Sequence, residues 1–251
     1  MYILAIETTG AFASVALMKD DKIIGGIHGN DRFSHLQNLM PQVDAVVKES
    51  KLSLDDIDVI AVSKGPGSFT GIRIGVSSAR ALSQVLDIPC VEVSSLEALA
   101  MNAAGISDKK DEACMSKPAF DDDVLVCPIL DARRSQVYGS GYYIKNGYPE
   151  EEIKAGAYTI EEFLEKVCDY HKILLFGDGA DACRDKIKEL RTEGTETAPE
   201  NIRYQRAESV AKLGAKLFAE KGGVPYNRVT PDYMRLAEAE RKLKEKQKTK
   251  G

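Results

Sequence analysis

Apolar residues fall in short unbroken runs along the first part of the chain. YILAIE at 2–7, ASVALM at 13–18 and KIIGGIH at 22–28 are separated only by turn residues, Asp20-Asp21 among them. Runs of this kind predict strands, here three joined as a meander. The period then changes. Leu36, Leu39, Met40, Val43, Val46 and Val47 recur at helical spacing and predict a helix over 35–50. Pro41 inside it predicts a kink or a late start. A strand at 57–63, a helix at 72–86, a strand at 90–93 and a helix at 95–103 follow.

The second half repeats this order. Strands are predicted at 124–131 and 136–144, and Asn146-Gly147 marks a further hairpin turn. A helix at 160–170 carries Thr159 and Glu162 at capping-box spacing. A strand at 172–177, a helix at 180–191, a weak strand at 201–205 and a helix at 208–220 complete it. One βββαβαβα unit is thus written twice, which predicts an α/β protein of two lobes, 1–104 and 124–230. Between them, 105–123 is polar and ends in three aspartates, so it reads as an inserted mobile loop. Residues 231–251 read as a C-terminal helix after Pro231 with a basic tail. From Arg235 to Lys250 that tail has seven basic and three acidic residues. Its i,i+4 pairs suit a solvated helix, while the surplus at Lys246, Lys248 and Lys250 suits contact with phosphate.

Composition narrows the class. With 43% apolar and 29% charged residues the chain is an ordinary globular sequence. Its formal net charge of −5 argues against a broad nucleic-acid grip by the chain alone. Five cysteines at 90, 114, 127, 168 and 183, with no CxxC pair, indicate neither a disulfide framework nor a zinc knuckle. No apolar run is long enough to span a bilayer, and the opening MYILAIETT lacks the basic flank of a signal peptide. A reduced, cytoplasmic setting is expected.

The chemistry starts from two carboxylates at matching places. Glu7 ends the first strand of one half and Asp131 the first strand of the other. In a duplicated fold their turns face a common cleft; taken singly, each is an acidic residue near a turn. KGPGSFTGIRIG, 64–75, is a glycine-rich turn feeding a helix. Such a turn either cradles an anion on its amides or lets two backbones approach closely.

LAIETT, SHLQNLMP, KGPGSFTGIRIG, SSLEALA, LDARRSQVY, FGDGA and PDYMRLAE occur in this order over nearly the whole length. Together they resemble the TsaB (YeaZ) family, bacterial proteins of the actin-like, sugar-kinase and Hsp70 (ASKHA) superfamily. That resemblance implies a part in making threonylcarbamoyladenosine beside the tRNA anticodon. It implies a heterodimer with the catalytic paralogue TsaD, an ATPase partner TsaE, a competing homodimer, and tRNA contact only through the complex. The paralogue carries a metal-binding HxExH where this chain has Ser95, Glu97 and Leu99. A leucine has no lone pair to donate and a serine hydroxyl is a poor ligand, so no metal and no catalytic residue are expected.

The nucleotide cleft implied by the superfamily falls on Glu7, Thr8, Asp131, Gly177 and Gly179. It reads as degenerate, because Asp131-Ala132-Arg133-Arg134 has no glycine where phosphate would approach. Arg133 and Arg134 either fork onto phosphate or fill its place. No resident cofactor is expected, with weak ATP or ADP binding confined to the complex. The partner interface implied by the resemblance falls on Leu36, Leu39, Val43, Ile72, Val76, Ala79 and Arg80. The expectation is a non-catalytic scaffold; the alternative is a sugar-kinase-like phosphotransferase or a metallopeptidase.

Overall fold

The computed structural model describes residues 1–29, 35–105, 123–191 and 193–234. The first half runs β1 (Tyr2–Glu7), β2 (Ser14–Lys19), β3 (Lys22–His28), α1 (His35–Glu49), β4 (Val59–Gly65), α2 (Phe69–Leu86), β5 (Cys90–Ser94) and α3 (Ser95–Met101). The second runs β6 (Leu125–Asp131), β7 (Gln136–Lys145), β8 (Tyr148–Thr159), α4 (Ile160–Lys166), β9 (Ile173–Phe176), α5 (Asp178–Ala182), α6 (Arg184–Leu190), β10 (Thr195–Thr197), α7 (Glu200–Arg203) and α8 (Ala207–Lys221).

Each half forms one five-stranded sheet, ordered β3-β2-β1-β4-β5 and β8-β7-β6-β9-β10. The meander strands pair antiparallel and the inner pairs β1–β4 and β6–β9 parallel, so the two topologies are the same. This duplication is the one expected from the sequence.

The inner strands are apolar on both faces because both faces are covered. On β1, Leu4 and Ile6 meet α1 and α2 through Leu39, Val43, Ile72 and Val76. Ile3 and Ala5 meet α8 through Val210, Ala211 and Leu213. On β6, Cys127 and Ile129 meet α4 and α6. Val126 and Leu130 meet α3 through Leu96, Leu99 and Ala100.

The last helix of each half therefore covers the other half's sheet. α8 packs on the first sheet and α3 on the second, with Ala98 and Met101 of α3 turned toward α8. Asn102 fixes the exchange. Its Nδ2 donates to the carbonyls of Ile202 and Tyr204, each at 2.7 Å, and its Oδ1 accepts from Ser209 Oγ at 2.5 Å. The segments 1–104 and 124–230 mark the repeat: each builds the core on one face of its sheet, and each needs the other's last helix to complete the core on the second face.

Several boundaries differ from expectation. α2 begins at Phe69 rather than 72, with Ser68 Oγ accepting from Gly71 N at 3.3 Å. The weak strand at 201–205 is instead the short helix α7 behind Pro199, whose fixed φ suits a helix entry. The edge strand is β10, with β-branched threonines at both ends. The helix at 180–191 is two helices meeting at Cys183. α1 starts at His35 with Pro41 inside it, so the start is not late. Pro41 is exposed, and water can satisfy the Gln37 carbonyl it deprives of a donor. Residues 231–233, expected to open a helix, have no regular structure. The inserted loop at 106–122 and the tail at 235–251 lie outside the described residues. Among the described residues, no helix is long and apolar enough to cross a membrane.

Exchanged helices make the two lobes fold as one unit. A fragment of residues 1–104 is expected to show no cooperative thermal transition alone, and to regain one when mixed with 124–234. A sharp melt of the isolated fragment would contradict the exchange.

Candidate functional site

The first turn is built around Glu7, which is fully buried at the end of β1. Its Oε1 accepts the Thr9 backbone N–H at 2.5 Å and the Thr9 hydroxyl at 2.6 Å. Its Oε2 accepts from Ser63 Oγ on β4. The adjoining Thr8 hydroxyl donates to the Gly71 carbonyl at 2.8 Å, and Ser68 N–H donates to the Thr9 carbonyl at 2.8 Å. The first turn of α2 is thus pressed onto the backbone of Thr8 and Thr9.

Only glycine permits this approach. A Cβ on Gly71 would lie 1.9 Å from the Thr8 carbonyl oxygen, and one on Gly75 would lie 2.3 Å from Thr8 Oγ1. Gly67 has φ +151 and sits against the Thr9 carbonyl. Of the two readings of KGPGSFTGIRIG, the geometry favours close backbone approach over an anion cradle.

The second turn repeats the device. Asp131 Oδ1 accepts the Arg133 backbone N–H at 2.8 Å, and its Oδ2 lies 3.3 Å from the Arg133 guanidinium. In both halves, then, the carboxylate ending the first strand captures the amide two residues later. Arg133, Arg134 and Ser135 all have positive φ, at 66°, 57° and 58°. Non-glycine residues resist this region. The run is held by Ala132 N–H on the Gln136 carbonyl at 2.9 Å and Ile160 N–H on the Ser135 carbonyl at 3.2 Å.

Asp178, which the sequence reading passed over, supports this turn by accepting the Asp131 N–H at 3.0 Å. Burial, with the neighbouring Asp131 charge, pushes its carboxyl above the ordinary 3.8 despite the hydrogen bond from Asp131. Asp181 differs. Burial pushes it up, but Tyr204, Arg184 and Arg203 together hold it below the ordinary value. Both aspartates stand in FGDGADA, whose carboxylates gave no periodic signal to mark them.

Gly177 and Gly179 serve packing. A Cβ on Gly177, at φ +91, would lie 2.3 Å from the Ile129 carbonyl oxygen, and one on Gly179 would lie 2.8 Å from it. The five cleft residues thus form two local clusters. Glu7 and Thr8 join Ser63 and α2, while Asp131 joins Asp178 beside the two glycines.

Ser95 and Leu99, the two positions expected to lack metal ligands, are both fully buried. Leu99 packs among Leu130, Leu174 and Phe176. Glu97 is half-buried, and that burial raises its pKa above the ordinary value against the pull of Lys216 and Lys221. His28 is bound to Glu208 at 2.8 Å.

The interface residues need correction. Leu39, Val43, Ile72, Val76 and Ala79 are at most 3% exposed and form the core between the first sheet and its two helices, so they are not available to a partner. Leu36 and Arg80 remain outside. The outer faces add Met40 on α1 and Phe69, Arg73, Ser77, Ala81, Gln84 and Val85 on α2. Leu36 and Val85 are 78% and 82% exposed. The helical period gave two stripes on each helix, and the sequence reading assigned the inner one to the interface. A groove of about 810 Å³ between α4 and α6, lined by Glu161, Leu164, Cys168, Tyr170 and Arg191 among others, includes none of the expected site residues.

Comparison with known proteins agrees with this architecture. The family model TsaD, tRNA N6-adenosine threonylcarbamoyltransferase, matches residues 19–243. The tRNA threonylcarbamoyladenosine biosynthesis protein TsaB of Bacillus subtilis is 35% identical over 99% of this chain and 100% of its own length. The Escherichia coli protein of the same name is 30% identical over 97% and 98%. In fold, YeaZ from Pseudomonas aeruginosa superposes with a TM-score of 0.72 at 23% identity, covering 92% of this chain and 99% of that one.

Two substitutions probe these turns. Gly71→Ala is expected to destabilise by about 3 kcal/mol, the upper end of overpacking costs, in urea unfolding. Asp178→Asn keeps an oxygen for the Asp131 N–H and removes a buried charge. Because the folded-state pKa is raised, the penalty it relieves is full above that pKa and absent below the unfolded value. The variant is expected to melt higher than the parent at pH 7 and alike at pH 3, by calorimetry across pH.

Proposed function

The chain belongs to the TsaB family of tRNA threonylcarbamoyladenosine biosynthesis proteins, and from that premise we propose that it is a non-catalytic docking subunit of that pathway. One observation carries the reading. The carboxylates that end the two first strands, with the amides that follow them, are occupied by one another inside their own turns. Turns that grip a triphosphate must instead offer amides outward. Ser95 and Leu99, buried where the paralogue would place metal ligands, support the same view.

A subunit without its own chemistry acts through its surface. The partner in this reading is the catalytic TsaD-type paralogue, docked on the outer faces of α1 and α2. A second copy of the chain competes for that face. A TsaE-type ATPase joins the pair, and tRNA meets the assembly rather than this chain alone. Exposed Leu36, Met40 and Val85 supply apolar contact, while Ser77 and Ala81 let a facing helix come close.

The test is reconstitution with the paralogue. Val85→Asp and Leu36→Asp are each expected to weaken the complex at least tenfold by sedimentation without changing the melt of the free chain. Tight magnesium-dependent ATP binding by the isolated chain would favour the phosphotransferase reading. Full tRNA modification without this chain would end the scaffold reading.

A further inference from the structure

The α2 surface carries charge that no described residue pairs. Arg73 lies over the Phe69 ring, its guanidinium carbon 4.1 Å from the centroid, and 6.0 Å from that of Tyr233. The two rings are 4.8 Å apart, and Arg73 Nε donates to the Tyr233 hydroxyl at 3.1 Å. Tyr233 is itself held in place. Asp232 N–H donates to the Lys64 carbonyl at 2.7 Å, and Thr230 N–H to Glu92 Oε1 at 2.7 Å, so residues 230–233 strap across the turn before α2. Stacking and the Nε bond fix the stem of Arg73. Neither terminal nitrogen has an ion-pair partner among the described residues.

Arg80 stands seven residues on, two helical turns along the same face, and is likewise exposed without an ion pair among the described residues. Nothing in α2, FTGIRIGVSSARALSQVL, is acidic. On the neighbouring α1, Asp44 is bound to Lys48 at 2.7 Å, which leaves Glu49 at the far end.

We propose that Arg73 and Arg80 are the carboxylate-reading pair of the α2 face, which select a partner helix bearing Asp or Glu over a second copy of this chain. Resting on the docking reading above, the proposal names the chemistry of the partner. A two-fold pairing of α2 with itself sets arginine near arginine and offers no carboxylate from either helix. A partner helix with acids two turns apart answers both charges. A guanidinium already ordered loses less freedom on forming paired bonds to a carboxylate. Charge of this kind chooses partners and speeds encounter.

The experiment measures both associations by sedimentation and titration at low and high KCl, using the TsaD-type paralogue and the chain alone. For the parent, raising salt is expected to weaken the heterocomplex and to strengthen self-association, because screening removes attraction in one and repulsion in the other. Arg73→Glu with Arg80→Glu is expected to weaken the heterocomplex at least tenfold at low salt and to reverse its salt dependence, since the new carboxylates repel the partner's acids and salt screens that repulsion, with the free chain still melting cooperatively. Arg73→Lys with Arg80→Lys, keeping the charge, is expected to retain the salt dependence. If Val85→Asp breaks the complex while the double glutamate variant binds as tightly as the parent, the charge proposal is wrong and the docking reading stands. If neither affects binding, both fall.

Discussion

The structure depends on one close approach, that of the start of α2 to the turn Glu7-Thr8-Thr9. Gly71 lies where any side chain would overlap the Thr8 carbonyl, and the Thr8 hydroxyl donates back to the Gly71 carbonyl. The contact fixes the direction of an 18-residue helix relative to the central strand. It also closes the first turn. With α2 pressed on its backbone and Glu7 holding the Thr9 amide, that turn has little left to offer a phosphate. A feature that looks like an anion-binding loop in sequence is here a device for joining a helix to a sheet.

The second constraint is the exchange of terminal helices. Each sheet needs both apolar faces covered, and its own half supplies cover for only one. α3 and α8 cross over to complete the other half's core. Asn102, 1% exposed, anchors the crossing with three hydrogen bonds. Two lobes tied in this way resist independent motion more than two domains joined by a linker.

Legibility in the sequence followed the strength of local signals. The strands at 2–7 and 22–28 were marked by apolar runs with turn residues on either side, and their bounds agree with the structure. The duplicated order was readable because the same succession of periods recurs. The helix exchange was not, since periodicity says that a helix has an apolar face but not which sheet it covers. Misassignment of Leu39, Val43, Ile72, Val76 and Ala79 has the same origin. Both stripes of α1 and α2 carry apolar residues, and only burial tells them apart. β10 and α7 were confused because a four-residue helix has too few positions to display a period. Asp178 went unnoticed for another reason. Its role is a single hydrogen bond to an amide 47 residues away, which leaves no trace in spacing.

α2 joins these strands of argument because its two faces have different duties. Ile72, Val76 and Ala79 face the sheet, and Gly71 and Gly75 sit against Thr8. Phe69, Arg73, Ser77, Arg80 and Val85 face outward. The inner contacts set the rotation of the helix, so they also set which residues the outer face presents. A rigid presentation matters more for charge than for grease. An apolar patch tolerates small displacements, whereas paired bonds from a guanidinium to a carboxylate require the planes to meet. The glycines that let α2 press onto the first turn are thus the same ones that hold its outer face at a fixed angle.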